Sequence, residues 1–181
     1  MNPLATIWLK PRQTFEDFIE KKKDHPIFVI PIILLGIMMG IDLSTDLIFL
    51  MVNRWVSLMI GICLGIGVSF FNFAFFMPGL IKICGKLWKG QATMRQLVNV
   101  CAIAHIPFSL VLIQQIALLL IGQSGAIEQV NPGVSNVIWL WSISLLIIGV
   151  AKVQRFSSGM ALLNIFISAL PIILLGLIVS A

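Results

Sequence analysis

Few side chains in this sequence could do chemistry, and most of those sit in apolar surroundings. Asp42 and Asp46 are four residues apart, which puts both carboxylates on one face of a helix. His105 lies in Ala104-His105-Ile106-Pro107, where an imidazole could relay a proton because its charge changes near neutral pH. Asp42, Asp46 and His105 therefore form a candidate polar site within apolar sequence, suited to a proton or a cation. Two plainer readings compete with it. The helix carrying the acids can end early and leave them among headgroups, and His105 can be a neutral ring bonded to a neighbouring helix. Arg54 is a candidate partner for the acids. A second group, Lys82, Lys86 and Lys89, repeats at i, i+4 and i+7 with Leu80, Ile81, Ile83, Leu87 and Trp88 between. That pattern suits contact with anionic lipid or with a docking partner. HExxH, GxSxG and P-loop signatures are absent, as is any Cys/His pairing at catalytic or zinc spacing. No enzyme, metal or cofactor is expected, and Cys63, Cys84 and Cys101 read as small apolar fillers.

The elements that must position these residues are membrane helices. Of 181 residues 59% are hydrophobic and only 10% charged, with mean hydropathy +1.06. A soluble domain carries about 25% charged residues, so most of this chain is kept from water. The pattern predicts an all-α integral membrane protein with five transmembrane helices at 27–52, 55–77, 94–121, 136–155 and 159–180, each near the roughly 20 residues a crossing needs. A cytoplasmic amphipathic head, 1–26, precedes this domain of 27–181. In the head, Thr14 and Asp17 resemble a capping box, and Phe15, Phe18 and Ile19 share the face that would rest on the membrane. An interfacial basic helix, 78–89, joins the second span to the third. Thr93 and Gln96 form a capping box at the third span, and Pro107 should kink it. Gly36-xxx-Gly40 and Gly61-xxx-Gly65 are spaced for close helix packing, within the chain or in a homo-oligomer. Gln114, Gln115, Asn72 and Asn164 are placed to bond between helices. Pro31-Ile-Ile-Leu-Leu-Gly36 returns as Pro171-Ile-Ile-Leu-Leu-Gly176, which does not by itself establish an internal repeat.

Orientation follows from the 12 basic residues. Lys10, Arg12 and Lys21 to Lys23 precede the first span. Lys82, Lys86, Lys89 and Arg95 lie between the second and third, and Lys152 and Arg155 beside the turn from the fourth to the fifth. Only Arg54 falls on the other side. The positive-inside rule puts the N-terminus in the cytoplasm and the C-terminus outside a multi-pass cell (inner) membrane protein. Trp8, Trp55, Trp88, Trp139 and Trp141 fall near span ends or in the head, where an aromatic belt would lie. The one-sided charge is a topology signal, so a nucleic-acid partner is not expected.

Three segments together resemble the YIP domain family (Ypt/Rab-interacting proteins), in its bacterial form. They are Trp8-Leu-Lys-Pro11-Arg12-Gln-Thr14, then Gly90-Gln-Ala-Thr-Met-Arg-Gln-Leu97 running through Ala104 to Pro107, and Trp141 through Gly149 to Phe156-Ser157 with Ala161 beyond. The motif positions Trp8, Pro11, Arg12, Thr14, Pro107 and Ser157 are expected to be structural. Eukaryotic members are associated with Rab GTPases and vesicle traffic, and this tyrosine-free chain lacks their tyrosine-containing signatures. The resemblance implies a multi-span scaffold or accessory protein that binds lipid and a membrane partner, with ABC-type exporters in envelope protection as one partner class. The alternative is a small proton- or cation-coupled transporter or channel.

Overall fold

The computed structural model describes residues 3–16, 29–48, 53–121 and 132–180. Every element among them is helical. The head forms α1 (Pro3–Leu9) and α2 (Pro11–Glu16), each opened by a proline whose missing N–H costs nothing in a first turn. Next come α3 (Val29–Ile48) and α4 (Arg54–Phe70), the latter capped by Asn53, whose side chain accepts from the Trp55 amide at 3.0 Å. One π-helical turn, Phe71–Phe76, carries α4 without a break into α5 (Met77–Leu87). The third segment is split into α6 (Met94–Ala104), a 3-10 turn Ile106–Phe108, and α7 (Ser109–Leu120). Two long helices finish the chain, α8 (Pro132–Gln154) and α9 (Ser158–Ser180).

By length and composition, three helices among the described residues are long and apolar enough to cross a membrane: Arg54–Leu87, Met94–Leu120 and Gly133–Gln154. Within α3 and α9, Val29–Ser44 and Ser158–Pro171 are shorter apolar stretches. The outward faces are apolar as well, with Met59, Ile113, Val137 and Phe166 all more than half exposed. Such surfaces suit lipid rather than water.

Several boundaries differ from the sequence reading, each for a local reason. The basic stretch 78–89 is no separate element but the end of a 34-residue helix. The π turn absorbs Pro78: the Met77 amide reaches back to the Asn72 carbonyl, a wider loop that accommodates the ring. At about 1.5 Å per residue this helix is roughly 50 Å long, so its two ends cannot both lie in a hydrocarbon layer about 30 Å thick. Pro107 does interrupt the third segment, as a 3-10 turn rather than a simple bend. The fourth helix starts at Pro132, four residues before its expected start. Trp141 therefore lies well inside it and packs against the core rather than at an end.

The capping box at α6 forms as expected, with Gln96 N–H donating to Thr93 Oγ1 at 3.3 Å and Thr93 N–H to Gln96 Oε1 at 2.9 Å. Thr14 does not cap. It is buried inside α2, donating to the Lys10 carbonyl at 2.9 Å and accepting from the Thr6 hydroxyl at 2.9 Å. Asp17, Phe18 and Ile19 lie outside the described residues.

The two glycine pairs meet each other. Along α3, Ile32, Gly36, Gly40 and Ser44 recur every four residues, as Ser57, Gly61, Gly65 and Ser69 do along α4. A Cβ built on Gly36 would lie 2.6 Å from the Ile66 Cα, and one on Gly40 only 2.5 Å from the Ile62 Cα. Backbone thus rides on backbone, and Ser69 Oγ completes the seam by donating to the Ile32 carbonyl at 2.8 Å. Gly67, facing away, has nothing within 4 Å of such a Cβ. Gly40→Ala should cost about 1–3 kcal/mol through forced helix separation, whereas Gly67→Ala should be neutral or stabilise by up to about 1 kcal/mol through helix propensity. Thermal unfolding of the two variants in detergent checks the contrast.

Candidate functional site

Of the candidate polar site, the structure places Asp42 and His105 in different settings. Asp42, half-buried on α3, accepts a hydrogen bond from Gln115 Nε2 of α7 at 2.8 Å. Gln115 is itself buried, so this bond ties α3 to α7. Asp46 follows one turn later on α3, and its side chain lies outside the described residues. His105 sits at the break between α6 and the 3-10 turn, ten residues before Gln115 and so roughly 15 Å along the helix from it. Its backbone amide has moved to the Ala102 carbonyl, and its ring Nδ1 donates 2.7 Å to the Cys101 carbonyl that the amide left behind. Because a carbonyl can only accept, this bond fixes the proton on Nδ1. The ring is flanked by Phe73 at a centroid distance of 4.4 Å and by Phe108 at 5.8 Å. The cavity beside it, bounded by Pro31, Leu34 and Ser109, is about 10 Å³, room for no more than a water. His105 therefore bonds its own helix, not a neighbouring one, and helps seal the gap that Pro107 opens.

Polar contacts converge instead at the end of the bundle where the head, the 88–93 connection and the 155–157 turn meet. The Ile81 carbonyl of α5 accepts from Gln154 Nε2 of α8 at 3.3 Å and from Asn164 Nδ2 of α9 at 3.2 Å. Gln154 Oε1 in turn accepts from the Ala92 amide at 3.2 Å. Ser168 Oγ donates to the Asn164 carbonyl at 2.7 Å. Gln154 is 2% exposed and Asn164 fully buried. A Cβ on Gly85 or Gly90 would strike the Gln154 side chain, so both glycines leave the space it occupies. Asn164 was expected to bond between helices and does. Gln154 was missed, because a glutamine between Val153 and Arg155 at a basic span end looks like surface.

The head is anchored in this same end. Rather than lying on the membrane, Ile7 and Phe15 are fully buried in one core with Leu97, Val100, Leu145 and Val150. A Cβ on Gly149 would come 2.6 Å from Val100 Cγ1 and 2.9 Å from Phe15 Cε1, so Gly149 admits the phenyl ring. Glu16 pairs with Lys152 at 2.9 Å across the seam.

The remaining motif positions other than Arg12 have structural duties. Trp8 packs on the core, Pro11 opens α2, and Pro107 is buried in the 3-10 turn. Ser157 caps α9, its Oγ accepting from the Met160 amide at 3.3 Å. Arg12 stays exposed. Of the three lysines, Lys82 is half-buried while Lys86 and Lys89 are exposed beyond the inward face of Pro78, Ile81 and Gly85. Lys89 takes a left-handed conformation, φ 59°, that ends α5, with the Gly90 amide on the Gly85 carbonyl at 2.9 Å. Among the described residues no three His, Cys, Asp or Glu side chains cluster as metal ligands would.

The family model described as Yip1 domain matches residues 5–180. No curated protein and no solved structure matches the chain.

If the head is held chiefly by burial of Phe15, Phe15→Ala should cost about 3–5 kcal/mol and make the first 16 residues a protease target. Glu16→Gln, which breaks only an exposed pair, should cost under about 1 kcal/mol. Limited proteolysis with thermal unfolding of both variants checks the ranking.

Proposed function

The chain belongs to the Yip1 domain family, and from that premise we propose that it is a non-enzymatic membrane scaffold or accessory protein. In this reading it crosses the cell membrane five times, with the N-terminus in the cytoplasm. The basic end of the bundle then faces anionic lipid and a membrane-protein partner, for which an ABC-type exporter is the first class to test. Lys82, Lys86 and Lys89 supply the contact.

The observation that carries the proposal is how the interior polar groups are used. The Gln115 amide N–H on Asp42, the Gln154 and Asn164 amides and the His105 ring are all engaged in helix-to-helix or within-helix bonds, while Gln115 Oε1 stays buried without a partner among the described residues. A transporter needs polar groups turned toward a path, whereas a scaffold needs a fixed shape. Charge complements that shape. Lys86 and Lys89 project from the same end as Arg12 and Arg155, and a basic membrane-facing surface attracts anionic headgroups by about 1 kcal/mol per cation.

Capture of the tagged protein from its native membrane in gentle detergent, followed by mass spectrometry, tests the reading. A stoichiometric membrane partner should copurify and be lost from the K82Q/K86Q/K89Q variant. A homo-oligomer with no partner in either form would count against it.

A further inference from the structure

The anchored head leaves a cleft beside it. Arg12 and Glu16 of the head form one wall, and Lys152 and Arg155 from the end of α8 form the other, with Ser158 of α9 closing the corner. The floor is apolar, made by Phe15, Ile148 and Phe156. Its volume is about 470 Å³, within the roughly 300–1,000 Å³ of small-molecule sites. Glu16 already balances Lys152 at 2.9 Å, which leaves Arg12 and Arg155 as the further cations lining the same space. Among the described residues neither Arg12 nor Arg155 has an ionic partner.

Arg155 is held in place by backbone rather than by a side-chain contact. It adopts a left-handed conformation, φ 59°, while the Phe156 amide bonds back to the Ala151 carbonyl at 2.9 Å, closing α8 with the turn that usually takes glycine there. An arginine in that position costs roughly 1–2 kcal/mol over glycine, and it lines the cleft. The adjoining start of α9, a 23-residue helix, adds amides and a favourable dipole end for negative charge.

We propose that this cleft binds a phosphate ester, its phosphoryl oxygens gripped by Arg12 and Arg155 and its apolar portion resting on Phe15 and Phe156. Two planar forks suit the oxygens of a phosphate, which accept paired N–H bonds. The residues differ from the lysines of α5, so the site stands whether or not a partner docks on that helix. The ligand is either a phospholipid headgroup entering from the bilayer or a soluble phosphate compound, and the two enter the test separately.

Full-length protein in uncharged maltoside micelles is titrated with dioctanoyl phosphatidic acid and, separately, with inorganic phosphate, followed by phosphorus NMR. Phosphatidic acid should bind saturably, and R12Q/R155Q should weaken it by at least about tenfold. Both arginines are exposed, so the unliganded thermal midpoint of that variant should hold. E16Q, which releases Lys152 to the cleft, should tighten binding several-fold, an effect opposite to that of a merely loosened head. K82Q/K86Q/K89Q should change affinity less than about twofold. Binding of phosphatidic acid alone assigns the site to a lipid headgroup, and binding of both probes assigns it to the phosphoryl group itself. Absence of saturable binding by either probe, an unchanged affinity in R12Q/R155Q, or an equal loss in the lysine variant overturns the proposal.

Discussion

One carbonyl organises an entire end of this protein. Helices in a bilayer gain little from hiding apolar faces from one another, because the surrounding lipid is as apolar as they are. What holds them in register is close backbone contact and a few buried polar bonds. The Ile81 carbonyl takes two such bonds, from Gln154 and Asn164, while Gln154 also receives the Ala92 amide. Through these three bonds α5, the 88–93 connection, α8 and α9 are fixed to one another. The head then has a defined groove to enter, and the basic residues flanking it have defined positions.

The rest of the molecule follows the same economy. At the seam of α3 and α4 the glycines remove side chains so that backbones touch, while Ser69 donates across it to the Ile32 carbonyl and Ser44 to the Ile41 carbonyl of its own helix. Between α3 and α7 the Asp42–Gln115 bond does the work that packing alone would leave loose. At the proline break, the His105 ring replaces an amide that can no longer reach the Cys101 carbonyl. Each of these uses of a polar group answers a backbone or packing need in its immediate surroundings. None requires a substrate to explain it.

Much of this was legible in the sequence because it depends on local pattern. Apolar run lengths gave the order of helices, Thr93 and Gln96 gave a cap, and the two Gly-xxx-Gly pairs announced a close contact before either partner was known. The misreadings share a cause. The second span and the basic helix 78–89 were expected as separate elements, whereas a π turn carries one helix through Pro78. Phe15 read as part of a surface face, because nothing local tells a ring lying on lipid from one entering a core through the gap left by Gly149, more than a hundred positions on. Gln154 looked like a polar end residue for the same reason: its partners, Ile81 and Ala92, are distant in sequence. Pairings of that range are set by tertiary packing, and periodicity carries no trace of them.

The central claim is that the polar groups inside the bundle serve its shape rather than a transport path. Flux across proteoliposomes, under a proton or sodium gradient with a voltage clamp by valinomycin and potassium, tests it most directly. The account predicts no protein-dependent flux, and the same baseline for wild type and Asp42→Asn. A gradient-driven flux that wild type supports and Asp42→Asn abolishes would contradict it.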